Sequence, residues 1–475
     1  MTEDPEGLQA EIDAYLSGVR SNGNGAGLEH GALTDMANAA RFIALHATEL
    51  RYCHPWKRWL RWTEGRWLDD DTGHTTYLGV ETMRSLLHDA ADIHDPDLRK
   101  RAIKEVIAAE RASRIRGMLE LATSHQPITI LPTRLDADPW LFNVTNGTVN
   151  LQTGDLQPHN PDDLITKQAP VAYDATAEAP EFQRFLARVV PDPELRSFLQ
   201  RAVGYSLTGS TTEQILLILY GAGQNGKSTL MEVIRALLGD YGQQAPPETF
   251  LERRDNIPND VARLRGARFV SASEITEGRR LNEALVKRMT GGDTMTARFM
   301  HSEFFEFKPQ FTPWLSTNHK PEIRGTDYAI WRRVKLVPFN ERITEEEKDG
   351  DLPAKLNTEL PGILAWAIKG CLDWQFSGLS EPASVTHATR EYRADMDIIG
   401  GFLEDRCRLT EGHTARASDL FAAYREWAKT TGNDPVSQQL FGRRLSDRGL
   451  EQRKTSGGTR SWDGISLLGD QETAF

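Results

Sequence analysis

The longest unbroken apolar run in the chain, Ile215 to Tyr220, has the length of a buried strand and falls far short of a bilayer span. A glycine-rich turn follows it. Helical apolar spacing then continues from Lys227 to Leu238, and Gly239 is a natural stop. Two later apolar runs, in "ARFVSASEI" and "FTPWLSTNHKP", predict strands ending at Ser273-Glu274 and Thr317-Asn318. Pro313 is awkward inside a central strand, so the second of these is expected to start after it. "VKLVPF" predicts another strand. Strands alternating with helices up to about Phe339 predict an α/β core.

The flanks are patterned differently. Residues 1–34, polar and dotted with glycine ("SNGNGAG"), predict a flexible lead. Residues 35–175 read as an α+β region. In it, "WLRWTEGRWLDDDTGHTTYLGV" predicts two short strands around a turn, and "DPDLRKRAIKEVIAAERASRIRGMLELA" predicts a long helix with Pro96 near its start. "WLFNVTNGTVNLQTGDLQPH" predicts a hairpin with Asn146-Gly147 and Thr153-Gly154 as turn dipeptides. Residues 176–375 hold a helical lead-in and the core, and 376–399, with "GLSEPASVTH", read as a linker.

From 400 to 475 the pattern changes again. "ARASDLFAAYREWAKTTG" predicts a helix with Leu420, Phe421, Tyr424, Trp427 and Ala428 on one face. "SQQLFGRRLSDRGL" predicts a second helix capped by Ser437, and "EQRKTSGGTRSWDGISLL" a hairpin turning at Gly457-Gly458. Helix, helix, hairpin is the order that ends a winged-helix domain. Arg443, Arg444 and Arg448 would lie on or beside a groove-entering helix, with Arg453, Lys454 and Arg460 on the wing. Such a domain serves either DNA or a protein partner.

The chain has 475 residues, 39% of them hydrophobic, enough for two or three globular domains. A net charge of −12 argues against indiscriminate nucleic-acid binding over the whole surface and leaves room for a locally basic channel. Cys53, Cys371 and Cys407 are far apart, which fits a reducing cytoplasm and argues against a zinc site. The acidic start has no apolar h-region, so no secretory leader is expected.

Gly221-Ala222-Gly223-Gln224-Asn225-Gly226-Lys227-Ser228 matches GxxxxGK[ST] without deviation, and Thr229 follows. The glycines let backbone N–H groups curl around phosphate oxygens. Lys227 can reach the β- and γ-phosphates, Ser228 can hold Mg²⁺, and the helix aims its positive end at the anion. The expected ligands are therefore ATP and Mg²⁺. Glu274, at a strand tip, is placed to polarise an attacking water and to help hold the metal. Asn318, at the next tip, can hydrogen-bond the γ-phosphate or the water; alone it would be a turn residue. Arg332 and Arg333 are either a finger reaching a neighbour's γ-phosphate or a solvated basic pair.

The run from about Gln214 to Phe339 resembles the superfamily 3 helicases. It is closer to the helicase part of phage and plasmid primase-helicases, the group that includes the poxvirus-type primase-helicase. The segments that carry the resemblance are "GAGQNGKST", "ASEITEGRRLNEALVKRMTGGDTMTARFMHSEFFEFKP", "WLSTNHKP" and "AIWRRVKLVPF". It implies an AAA+-like P-loop NTPase core, a hexameric ring with ATP sites between subunits, and movement along one DNA strand. By position it makes Lys227 and Ser228 Walker A residues, Glu274 the Walker B acid, Asn318 the sensor, and Arg332 or Arg333 the finger. Ser273 stands where many members carry a second acid, which leaves Glu277 or Asp293 as further metal candidates. "TARFMHSEFFEF" stands at the DNA-gripping hairpin and offers Arg298 and His301.

Asp69-Asp70-Asp71 reads as a turn rather than as the metal-binding acids of a primer-synthesising domain. Trp56, Trp59, Trp62 and Trp67, with Arg58 and Arg61, form either a core or a single-strand stacking platform, the core being favoured. Arg99, Lys100, Arg101, Lys104, Arg111, Arg114 and Arg116 read as a solvated face. The expectation is a ring-forming, ATP-dependent DNA helicase without primase catalysis, acting on single-stranded and forked DNA in a bacterial cytoplasm. An ATP-dependent loader that does not unwind is the alternative. The expected partners are copies of itself and a separate primase or initiator, with no membrane.

Overall fold

The computed structural model describes residues 33–252, 258–298, 303–325, 328–454 and 459–468. Residues 1–32 of the predicted lead, His301 and the Gly457-Gly458 turn lie outside them.

The first module runs α1 (Asp35–His46), β1 (Leu50–Cys53), β2 (Arg58–Thr63), β3 (Arg66–Asp69), α2 (His74–Ala91), α3 (Pro96–Ala109) and α4 (Ala112–Ala122). The three strands form an antiparallel meander. Glu64 and Gly65 take left-handed conformations at its second turn, as the right-handed twist of the strands requires. Helix α2 begins inside the stretch read as two strands. Asp70 starts it by accepting the N–H groups of His74 (2.9 Å) and Thr75 (2.8 Å), which holds its carboxyl down at about 2. Residues 96–122 form two helices rather than one. The break at Glu110-Arg111 lets Ile115, Met118 and Leu119 turn into the same core as Ala102 and Val106. The tryptophans are packing residues: Trp67 is buried, Trp56 and Trp62 lie against its cluster, and Trp59 packs on the helical core.

A second meander, β4 (Leu141–Val144), β5 (Gly147–Asn150) and β6 (Asp155–Gln157), places Phe142, Val144 and Val149 in the main core. Helices α5 (Pro180–Val189) and α6 (Pro193–Leu207) follow, separated at Pro191.

The central sheet is built from β7 (Leu216–Tyr220), β8 (Gly242–Gln244), β9 (Phe269–Ser273), β12 (Thr312–Thr317) and β13 (Val334–Pro338). Helix α7 (Lys227–Leu238) joins the first two. Helices α8 (Pro258–Ala262) and α9 (Glu283–Gly291), with the hairpin β10 (Met295–Ala297) and β11 (Phe305–Phe307), lie between β8 and β12. Helix α10 (Tyr328–Trp331) precedes β13. The strands run parallel in the order β13-β7-β12-β9-β8. Strand β7 lies between β12 and β13 while its own chain leaves for the far edge. In open α/β sheets a ligand binds beyond the strand tips at such a switch point.

Pro313 lies inside β12, contrary to expectation. It sits in the first rungs, where β9 is alongside but pairing to β7 has not begun, so its missing N–H breaks no central ladder.

After α11 (Leu352–Thr358) and α12 (Leu360–Ser377), the stretch read as a linker contains helix α13 (Ala383–Asp395). This helix packs along β13: Leu336 N–H donates to Thr389 Oγ1 (2.9 Å), and Tyr392 is buried in the sheet's second core. The chain ends with α14 (Ile398–Arg406), β14 (Cys407–Arg416), α15 (Ala417–Thr430), α16 (Gln438–Ser446), β15 (Gln452–Lys454) and β16 (Arg460–Leu467). The last three strands form an antiparallel sheet in the order β14-β16-β15. Leu420, Tyr424 and Ala428 are buried as their spacing predicts, and Ser437 caps α16. Among the described residues, no helix is long and apolar enough to cross a membrane.

Candidate functional site

The glycine-rich loop lies where β7 meets α7. Gly223 (φ 100°), Gln224 (φ 50°) and Gly226 (φ 78°) have left-handed backbones, which turns the loop into a concave nest of N–H groups. Gly226 has no room for a side chain: a Cβ there would lie 2.7 Å from Val189 Cγ1. Lys227 turns its ammonium back into the loop, 4% exposed, and donates to Gly221 O (2.8 Å), Asn225 Oδ1 (2.8 Å) and Asn318 Oδ1 (3.1 Å). Burial pushes its pKa down to about 8. Asn225 in turn donates to Phe339 O (3.0 Å), at the tip of β13.

Glu274 stands at the tip of β9 with φ 66°, its N–H bonded to Ser316 O (3.1 Å) on β12. Four strand tips thus meet around Lys227. They open on a cavity of about 480 Å³, lined by the loop, Ser228, Thr229, Ser273, Glu274, Thr317 and Asn318. Its outer wall is a segment the sequence reading did not single out. Ile343, Glu347, Lys348, Asp349 and Gly350, followed by Leu352 and Pro353 of α11, complete the cavity lining. "NERITEEEKDGD" is acidic and has no apolar period, so no pattern announces this role.

The cavity has the chemistry for an anion and a hard cation. It offers a nest of N–H groups, one buried ammonium, and an oxygen-only pair in Ser228 and Glu274. Glu277 lies near it, with Oε2 4.0 Å from His319 Nδ1, whereas Asp293 follows α9 beside Arg333 and does not enter it.

The two finger candidates have different fates. Arg333 is 7% exposed and is held by Thr290 Oγ1 (3.1 Å) and Ala329 O (2.6 Å), so it is spent in the interior. Arg332 is exposed and donates to Gln214. Both precede β13, at the end of the sheet away from the loop, roughly 15 Å or more from the strand tips by strand rise.

The hairpin expected from Arg298 onward is present as β10–β11, with Arg298 over the exposed Phe304 ring at 4.9 Å. In the C-terminal module Arg443 and Lys454 are exposed, but Arg444 and Arg448 are not available as expected. Phe441, Arg444 and Leu445 share the face of α16 that is turned inward, and Arg448 follows in the turn after the helix. Arg444 is buried and donates to Arg324 O of the central domain. Arg448 pairs with Asp397. Arg453 pairs with Asp463. In the first module Asp69 pairs with Arg58, and Asp70 is the cap described above.

Three family models match parts of the chain: "D5 N terminal like" over residues 39–191, a family of unknown function (DUF5906) over 219–333, and "Poxvirus D5 protein-like" over 394–462. The first and third carry the D5 description, and the matches are consistent with a D5-type primase-helicase family. Relatives include "Putative helicase L207/L206" of Acanthamoeba polyphaga mimivirus, 30% identical over 64% of this chain and 35% of that one. "Putative helicase 022R" of Frog virus 3 is 24% identical over 63% of this chain and 40% of its own length. "Putative primase C962R" of African swine fever virus is 23% identical over 63% and 34%. The chain thus spans between a third and two-fifths of the length of these relatives. They come from large DNA viruses, where the sequence reading expected phage or plasmid relatives in a bacterial cell. Among solved structures, the apo NrS-1 C-terminal region covers 88% of this chain and 96% of its own, at 10% identity and a TM-score of 0.48, a likeness too loose to transfer any role.

Asn225 ties the loop to the end of β13 while accepting from Lys227. Asn225→Ala leaves the buried Phe339 carbonyl without that donor and is predicted to destabilise the chain by about 1–3 kcal/mol. Chemical denaturation read by tryptophan fluorescence checks this, and an unchanged midpoint would show that the bond is dispensable.

Proposed function

We propose that the chain is an ATP-dependent DNA helicase motor of the superfamily 3 kind. Its central domain is an AAA+-like P-loop NTPase, it assembles as a ring, six-membered by the family resemblance, and it moves along single-stranded DNA. The observation that carries this reading is the meeting of Lys227, Glu274 and Asn318 at one cavity, with the exposed Arg332 at the opposite end of the same sheet. Arg332 cannot reach the cavity of its own chain, so its use as a finger requires a neighbouring subunit.

Bound ATP and Mg²⁺ supply the anhydride whose hydrolysis drives movement, together with the charge that shields it. Lys227 releases the Asn318 carboxamide and turns its ammonium to the phosphates. Ser228 and Glu274 provide oxygen ligands for the metal, and the Glu274 carboxylate orients the attacking water. Asn318, freed from Lys227, holds that water or the γ-phosphate. The order of α14, β14, α15, α16 and the β15–β16 hairpin supports a winged-helix C-terminal domain. Arg443 and Lys454 are its available basic residues, and Arg298 of the β10–β11 hairpin is the candidate grip on DNA. The structural bonds of Asp69 and Asp70 support a chain that does not itself synthesise primers.

Strand displacement from a forked duplex with ATP is the test. Wild-type chain should unwind it. Lys227→Ala should lose roughly 10²–10³-fold in ATP turnover, and Glu274→Gln should bind ATP yet hydrolyse it roughly 10²–10⁴-fold more slowly. ATP hydrolysis without displacement would favour a loader.

A pH dependence follows from Lys227. Its folded pKa lies below the ordinary value, so burial favours the neutral amine, whereas a phosphate against Nζ favours the ammonium and raises that value. Binding therefore takes up protons near pH 8. Affinity for ATP should be flat below about pH 7 and fall as pH rises through about 8. Titration calorimetry in two buffers of different ionisation enthalpy reads this uptake. Equal heats at pH 8, with a pH-independent affinity, would contradict it.

A further inference from the structure

The cavity's outer wall is the least explained part of the site. The strap 341–350 has no regular secondary structure, yet it is tied down at both ends of its contact with the loop. Ile343 N–H donates to Gln224 O (2.7 Å), the Gln224 amide donates to Glu345 Oε1 (2.9 Å), and Arg342 Nε donates to Gln224 Oε1 (3.3 Å). From the other side, Arg188 grips it with a two-pronged fork. Nε donates to Glu347 Oε1 (2.8 Å) and Nη2 to Glu347 Oε2 (2.8 Å). Nη2 also reaches Arg342 O (2.9 Å), and Nη1 reaches Glu341 (3.4 Å). Thr344 N–H donates to the same Glu347 carboxylate (2.9 Å).

Arg188 stands on α5, and α5 is also the helix beneath the phosphate loop. Its Phe185 and Val189 fill the space that a Cβ on Gly226 would need. Its N-terminus is fixed by Glu359, which accepts the N–H groups of Glu181 (3.0 Å) and Phe182 (2.9 Å) where α11 hands over to α12. One short helix therefore sets both the loop and the strap that is bonded to it. Ile343, Leu352 and Pro353 are the apolar side chains that this part of the chain adds to the cavity lining.

Resting on the nucleotide reading above, we infer that Arg188 is a positioning residue: it holds the strap so that Ile343, Leu352 and Pro353 form an apolar wall for the nucleoside end of the ligand. The phosphates belong to the loop, and the base and sugar belong to the strap. A half-exposed ion pair contributes little to global stability, so loss of the fork should leave the fold standing and release only the wall. The Arg188 hydrogen bond holds the Glu347 carboxyl down at about 2, so the fork stays charged at any pH where the chain is folded for use.

The test compares ATP with inorganic tripolyphosphate, which carries the phosphates without the nucleoside, on full-length chain. Arg188→Ala should weaken ATP binding and raise KM roughly tenfold, with kcat nearly unchanged and tripolyphosphate affinity at the wild-type value. Arg188→Lys keeps the charge but loses the two-pronged geometry, so it should recover only part of the ATP affinity, and thermal unfolding of both variants should stay close to wild type. Equal losses for ATP and tripolyphosphate, or no loss for either, would overturn the inference while leaving the phosphate loop intact as a site. A wild-type chain that binds neither probe would remove the nucleotide reading and this inference together.

Discussion

A buried ammonium organises this molecule. Lys227 sits where the glycine-rich loop closes and accepts the cost of desolvation because three oxygens surround it. Those oxygens belong to different parts of the sheet: Gly221 follows β7, Asn318 follows β12, and Asn225 is itself bonded to the end of β13. Glu274, after β9, is hung on β12 by its backbone. A single charge therefore cross-links the tips that must act together, and any anion entering the cavity competes for it. On the proposed nucleotide reading, the self-satisfied lysine and a phosphate-bound lysine would be alternatives, two states from one side chain.

The parallel sheet makes this geometry possible. Parallel strands deliver all their C-terminal tips to one end and all their entrances to the other. The loop, the acid and the asparagine accumulate at one end, and Arg332 is left at the opposite one. That separation is what the proposed sharing of a site between subunits would need. The C-terminal module is anchored near the entrance side, where Arg444 bonds to Arg324 and Trp331 donates to Gly325 O (2.8 Å), close in the chain to Arg332.

The sequence made the centre of the fold legible because its signals are local. The apolar run before the loop, the helix from Lys227 to Leu238, the strands ending at Ser273 and Thr317, and Ser437 as a cap all depend on neighbours within a few residues. The failures share a different cause. Helix α13 was hidden because its apolar face is narrow: only Val385 and Tyr392 are buried, and a proline precedes it. The break at Glu110 is set by a tertiary core rather than by a helix breaker. Arg333, Arg444 and Arg448 looked like solvent-facing basic residues, and composition cannot tell an arginine that meets a phosphate from one that satisfies a buried carbonyl. The strap was invisible for the same reason. Its role comes from Arg188, far away in sequence, and acidic loop residues carry no period.

The central claim is that Lys227 exchanges the Asn318 carboxamide for phosphate oxygens. A structure of the chain with Mg²⁺ and a non-hydrolysable ATP analogue tests this most directly. The account predicts the β- and γ-phosphates within hydrogen-bonding distance of Lys227 Nζ, Asn318 released from it, and the base against Ile343 and Leu352. An analogue bound elsewhere, or one bound here while Lys227 keeps its bond to Asn318, would contradict it.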